Sequence, residues 1–177
     1  MTGILSVQGD FLEHKAALAR LGEESFEIRS KEDAERDFDR LVLPGGESTV
    51  QRKLLGELGI YDVLQRKIEA GTPVLATCAG LILLADYFRT LPVKVKRNAY
   101  GRQSASFHVE SDFSGIGSIP MTFIRAPCIE LAEDGVEVKS RVDGRITGVQ
   151  FGKQIGIAFH PELDSDTRLL SYWLSIK

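Results

Sequence analysis

Through the first half of the chain, apolar runs of strand length alternate with amphipathic stretches of helical period. Residues 3–7 predict a buried strand, and 10–21 a helix with Leu12, Ala16, Leu18 and Leu21 near one face. Strands follow at 25–28 and 40–43, the second stopped by Pro44-Gly45-Gly46. Residues 47–69 predict one or two helices, interrupted around Gly59. A strand at 73–77 runs directly into a helix at 79–88. This β-α-β-α order implies a parallel sheet covered by helices. The second half changes character. Residues 93–97, 121–125, 136–140, 146–151 and 154–159 predict strands, and the turns Asp143-Gly144 and Gly152-Lys153 imply hairpins. Residues 111–119, rich in Gly and Ser, read as a loop, and a last helix is expected over 165–174. The expected fold is α/β: a three-layer, mostly parallel sheet flanked by helices, with antiparallel hairpins in the C-terminal half. No repeat, low-complexity tract or linker divides the chain, so residues 1–177 read as one domain.

Composition narrows the functional classes. A chain of 177 residues that is 43% hydrophobic and 27% charged can bury a core without staples. A net charge of −3 offers no basic footprint for nucleic acid. No apolar run approaches the ~20 residues of a membrane helix, and the start, MTGILSVQGDFLEH, lacks the basic region of a secretory signal. Two cysteines, Cys78 and Cys128, make no disulfide framework, which points to the cytoplasm, where thiols stay reduced.

The strand-to-helix junction at Pro73-Val-Leu-Ala-Thr-Cys-Ala-Gly-Leu-Ile-Leu-Leu84 places Cys78 where the strand ends. Such a turn exposes the side chain at the end of the sheet, as in a nucleophile elbow. The helix N-terminus favours a thiolate there, the Ala79 N–H is free to face an oxyanion, and Gly80 permits close packing. The structural alternative is a buried core cysteine. Ala76 stands where glycine is more common in such turns, and alanine resists a positive φ.

A second candidate lies in Gln154-Ile-Gly-Ile-Ala-Phe-His-Pro-Glu-Leu163. An apolar strand ends in His160, and Pro161 keeps that residue extended. In extended chain, i and i+2 share a side, so Glu162 can bond one imidazole nitrogen and leave the other to take the proton of Cys78. His14 and His108 read as structural. The three histidines and two cysteines lack any close metal-ligand spacing, so no metal is expected.

With these elements in place the sequence resembles the class I glutamine amidotransferases, and within them the glutaminase subunits of pyridoxal 5'-phosphate synthases. The broad class rests on Cys78 and His-Pro-Glu. The narrower likeness rests on Val7-Gln-Gly-Asp-Phe-Leu-Glu-His14, Leu43-Pro-Gly-Gly-Glu-Ser-Thr49, Thr77-Cys-Ala-Gly80, Arg97-Asn-Ala-Tyr-Gly-Arg-Gln103, Phe123-Ile-Arg-Ala-Pro127 and Phe159-His-Pro-Glu-Leu163. The resemblance implies hydrolysis of L-glutamine to glutamate and ammonia without a cofactor. The ammonia would pass to a synthase (lyase) subunit in a hetero-oligomer that makes pyridoxal 5'-phosphate (vitamin B6). That partner would complete the oxyanion hole. The resemblance also implies Cys78, His160 and Glu162 as the triad, with Gly46, Glu47, Ser48, Arg97, Ile124 and Arg125 around the glutamine. Gly46 could give a second oxyanion N–H beside Ala79. An arginine suits the α-carboxylate of glutamine, and Glu47 its α-amino group. Lys94 and Lys96 read as a solvated strand face, unlike Arg97, with Arg102 in the same basic set. Residues 84–95 form a shorter connection than the family's, and the chain stops soon after Trp173. Two other functions stay open: another cysteine hydrolase on the same scaffold, or a regulatory subunit without chemistry.

Overall fold

The computed structural model describes residues 1–100 and 106–177. One eleven-stranded sheet carries both halves of the chain. Its parallel part runs β2 (Ser25–Ile28), β1 (Thr2–Leu5), β3 (Arg40–Leu43), β4 (Val74–Thr77), β11 (Gln154–Ile157) in spatial order. These strands have four residues each and are almost wholly buried, as expected of strands covered on both faces. The connections carry α1 (Phe11–Arg20), α2 (Lys31–Glu35), α3 (Ser48–Glu57) and α4 (Tyr61–Glu69). Among the described residues no helix is long and apolar enough to cross a membrane.

Beyond β11 the sheet turns antiparallel through β10 (Arg145–Phe151), β9 (Glu137–Val142), β6 (Ser106–Phe113) and β7 (Gly117–Ile124). A side branch pairs β5 (Val93–Lys96) with β8 (Cys128–Ala132), and β8 with β10. The Asp143-Gly144 turn has positive φ at both residues, 49° and 76°, the backbone of the tight hairpin turn its sequence predicts. The fold class is thus the expected one: a mixed α/β sheet, parallel first and antiparallel later, with flanking helices.

Several elements differ in detail. Residues 111–119 are not a loop. They form the turn end of a hairpin in which β6 and β7 pair one to one, with the turn confined to 114–116 and Gly115 at φ 93°. The hairpin faces solvent on one side, so its polar residues mask the strand period. Strand β8 and the capping-box helix α2, where Ser30 and Asp33 cap each other, were not expected. Helix α1 turns a different face inward. Leu12 and Ala16 are exposed, and His14, Ala17 and Leu18 are buried. A histidine holds the central inward position, which an apolar count passes over. The helix after Cys78 is α5 (Ala79–Ile82), continuing as a π-turn over Leu83–Tyr87. The last helix, α6 (Arg168–Leu174), begins later than expected and buries Trp173.

The carboxyl ends of β1, β3, β4 and β11 lie side by side in this topology. The segments leaving them carry Gln8 to Asp10, Gly45 to Ser48, Cys78 and His160. That is where an open α/β sheet forms its binding crevice.

Candidate active site

Cys78 takes φ 48° and ψ −102°, a backbone that non-glycine residues rarely adopt. Its N–H donates to Ile157 O of β11 at 2.8 Å, and its own carbonyl accepts from Ile82 N. Strand and helix thereby fix the turn from both sides. Glycine at 80 is mandatory, because a Cβ there would lie 1.9 Å from Leu43 O. Ala76 needs no unusual backbone. It sits inside β4, paired to Leu43 and Gly156, and the positive φ falls on Cys78 itself. The Cys78 S–H is aimed at Ile124 O, 3.9 Å away.

His160 and Glu162 meet as expected, by a different route. His160 is extended (φ −115°, ψ 85°), but Pro161–Leu163 is a 3-10 turn rather than extended chain. The turn folds the carboxylate back so that His160 Nδ1–H donates to Glu162 Oε1 at 2.7 Å. Both side chains are buried. Burial pulls the imidazole down, but the adjoining Cys78 sulfur and the hydrogen-bonded Glu162 carboxylate outweigh it. The His160 pKa is pushed up to about 10. Among the described residues His160 Nε2 has no partner in hydrogen-bond geometry, so its contact with Cys78 is loose, as in a resting nucleophile–base pair that tightens around substrate. Burial would also raise the Glu162 carboxyl. Instead the neighbouring histidines, His14 and then His160, hold it below the usual carboxylate range. His14 is itself kept neutral by complete burial. It can therefore act on Glu162 only as an N–H dipole, and the full positive charge beside the carboxylate is that of His160.

A cavity of about 360 Å³ opens over these groups, within the usual size for a small-molecule site. Gly46, Glu47, Ser48, Cys78, Ala79, Arg97, Ile124, Arg125 and His160 all line it, and Glu162 lies behind His160. The sequence reading assigned no role to Gln8, Gly9, Asp10, Ile82, Asn98 and Pro127, which also line it. The first three follow β1, so the rule that sites gather at strand carboxyl ends could have found them. Gly46 has φ 144°, and Gln8 Oε1 accepts from the next amide, Glu47 N, at 2.8 Å. Among the described residues neither Gly46 N–H nor Ala79 N–H donates to another backbone group. The α3 cap is Glu47, whose carboxylate accepts from Thr49 N, and Ser48 is the first helical residue. Arg97 Nη1 donates to Thr49 Oγ1 at 3.4 Å, whereas Lys94 and Lys96 pair with Glu130 on the surface. Arg102, and the motif from Gly101 to Gln103, lie outside the described residues.

Asp10 adds a second carboxylate 3.4 Å from His160 Nδ1. Asp10, His160 and Glu162 offer ligand atoms within 4.8 Å of one another, a spacing that would suit a cation. A protonated imidazole between the two carboxylates offsets one of their two negative charges. His108 is half exposed and bonds Thr122 Oγ1 at 2.9 Å, a surface role.

A cysteine on a strained strand-to-helix turn, a buried His–Glu pair and a glycine loop share one cavity at the carboxyl ends of this sheet. Fold and site together define a class I glutamine amidotransferase. Residues 4–176 match the model of the SNO glutamine amidotransferase family, and the chain belongs to that family. The pyridoxal 5'-phosphate synthase subunit PdxT of Desulfitobacterium hafniense (strain Y51) is 54% identical over 180 residues, covering 97% of this chain and 90% of the relative. PdxT of Methanocorpusculum labreanum is 47% identical over 181 residues, covering 98% and 96%. A solved glutamine amidotransferase superposes with a TM-score of 0.92 at 42% identity, over 99% of this chain and 97% of the other. A glutamine amidotransferase from Thermotoga maritima, with a TM-score of 0.68 at 14% identity over 98% and 80%, shares the fold.

Proposed function

We propose that this chain, acting as one domain, hydrolyses L-glutamine through a Cys78–His160–Glu162 triad and passes the ammonia to a pyridoxal 5'-phosphate synthase subunit. The observation that carries the reading is His160 at the cavity floor, bonded at 2.7 Å to buried Glu162 and adjoining Cys78. Glu162 favours the protonated imidazole, so His160 takes the proton of the Cys78 thiol as substrate meets it. The Cys78 sulfur attacks the side-chain amide carbon, and the oxyanion is received by the Ala79 and Gly46 N–H groups. The C–N bond breaks as His160 gives its proton to the leaving ammonia. A glutamyl thioester remains on Cys78. Neutral His160 then takes a proton from water as the hydroxyl attacks the thioester, and glutamate departs as the thiolate re-forms.

Around this centre, Arg97 and Arg125 suit the α-carboxylate and Glu47 the α-amino group, with Ser48 and Ile124 closing the cavity wall. The names of the PdxT relatives support assembly with a synthase partner, and free Cys78 and Cys128 fit a cytoplasmic setting. Gln8 ties down the Glu47 amide next to Gly46, and docking of the partner is expected to set the Gly46 donor beside it. Ammonia release, measured with and without the synthase subunit, tests this. Activity that rises on adding the subunit is expected, and full activity from the chain alone would refute the gating.

A further inference from the structure

We propose that His14 is a positioning residue that fixes the triad carboxylate, so that the buried relay runs Thr77–His14–Glu162–His160–Cys78. The proposal rests on the triad reading above and extends it by one residue, His14, to which that reading gives no part in the chemistry.

His14 projects from the centre of the inward face of α1. Its Nε2 lies 3.0 Å from Thr77 Oγ1 and 3.4 Å from Glu162 Oε2, and the His14 and Glu162 side chains are wholly buried. Glu162 commits Oε1 to His160. Its Oε2 has no hydrogen bond of good geometry among the described residues, and His14 Nε2 is the side-chain polar atom beside it. His14 Nδ1 also lacks a partner. Placing the ring proton on Nδ1 would bury an unsatisfied donor and turn the Nε2 lone pair toward a carboxylate. Placing it on Nε2 leaves only an unpaired acceptor and aims the N–H between Thr77 Oγ1 and Glu162 Oε2. The second tautomer costs less and is the one assigned.

That N–H does two things for the site. It holds the carboxylate in the rotation that presents Oε1 to His160, and it stabilises the negative charge that keeps His160 protonated. It also joins this carboxylate to Thr77, the residue just before Cys78, so the nucleophile turn and the base share one scaffold. The charged and titratable groups facing His14 are Glu162 and His160 from the C-terminal turn, and Asp10 and Glu13 from the start of its own helix.

The chain has three histidines, so each ring can be followed by NMR through a pH titration of the isolated protein. His14→Leu keeps the volume and removes the donor, whereas His14→Gln returns an N–H near the position of Nε2. In His14→Leu, the His160 midpoint should fall from about 10 by about one pH unit. Its kcat in the complex with the synthase subunit should drop about 10- to 100-fold, with KM for glutamine moving less than about twofold. His14→Gln should recover most of both. If His14→Leu does not fold, His14→Asn, whose amide reaches only as far as Nδ1, is compared with His14→Gln and the same order is expected. A folded donor-free variant with an unmoved His160 midpoint and kcat, or His14→Gln no better than that variant, overturns the proposal. Cys78→Ala run alongside separates the two levels. Turnover in Cys78→Ala defeats the triad itself, whereas a dead Cys78→Ala beside a fully active His14→Leu defeats only the relay.

Discussion

Glu162→Gln keeps the shape of the side chain and removes its charge. The His160 Nδ1–Oε1 contact is 2.7 Å, but both charges are spread over several atoms, and an effective separation of about 4 Å is reasonable. At an effective dielectric of about 20, that attraction is worth about 4 kcal/mol, or about three pH units on His160. Burial, the largest influence on this imidazole, would then be opposed only by Cys78 and by the half-exposed Asp10 carboxylate 3.4 Å from Nδ1. The His160 pKa should fall from about 10 to about 7, so that at pH 8 the imidazolium is mostly lost. Neutralising the equivalent carboxylate in a Ser-His-Asp triad costs ~10⁴ in kcat. A thiol ionises more readily than a hydroxyl, so a loss of about 10³ is expected here. The assay is ammonia release by the complex between pH 6 and 10, beside the NMR titration of His160. The same change has a stability signature. Because His160 binds its proton more tightly folded than unfolded, its contribution is complete below about pH 6.5 and is lost as pH rises toward about 10. Wild-type and variant melting temperatures should therefore converge as pH climbs through that window. A kcat within tenfold of wild type, or an unchanged His160 titration, would show that the Glu162 charge does not hold the His160 proton.

Two further variants test the scaffold and the substrate site. Gly80→Ala should destabilise the chain by about 3–5 kcal/mol or prevent folding, although alanine favours helix, because its Cβ would meet the Leu43 carbonyl at 1.9 Å; a melting temperature within a few degrees of wild type would contradict this. Arg97→Ala should raise KM for glutamine about 10- to 100-fold, the worth of a charge-assisted hydrogen bond, with a smaller change in kcat, as steady-state kinetics would reveal.

Much of the parallel half was legible because its signals are local and strong. Strands at 25–28 and 40–43 coincide with β2 and β3, and the break at Gly59 separates α3 from α4. The region after Val93 was harder, since solvated strands such as β6 alternate weakly and Gly-rich stretches read as loops. The chemistry of Cys78 and His160 could be read from their turns. Other features could not. Asp10 and His14 reach the same centre from α1 and its start, and no spacing along the chain reveals that they meet residues about 150 positions away. That Ala76 fits where glycine is more common could not be explained from sequence, because which residue takes the positive φ depends on how β4 hands over to α5. The His160–Glu162 contact was expected for the wrong geometric reason, since the proline starts a turn instead of prolonging the strand.

In this mechanism Cys78 carries the glutamyl group between the two half-reactions. Rapid acid quench of the complex during turnover, followed by peptide mass mapping, tests it most directly. A glutamyl adduct on Cys78, absent from Cys128 and from the Cys78→Ala variant, is the predicted result. An active enzyme that never carries the adduct on Cys78, or Cys78→Ala releasing ammonia at the wild-type rate, would contradict it.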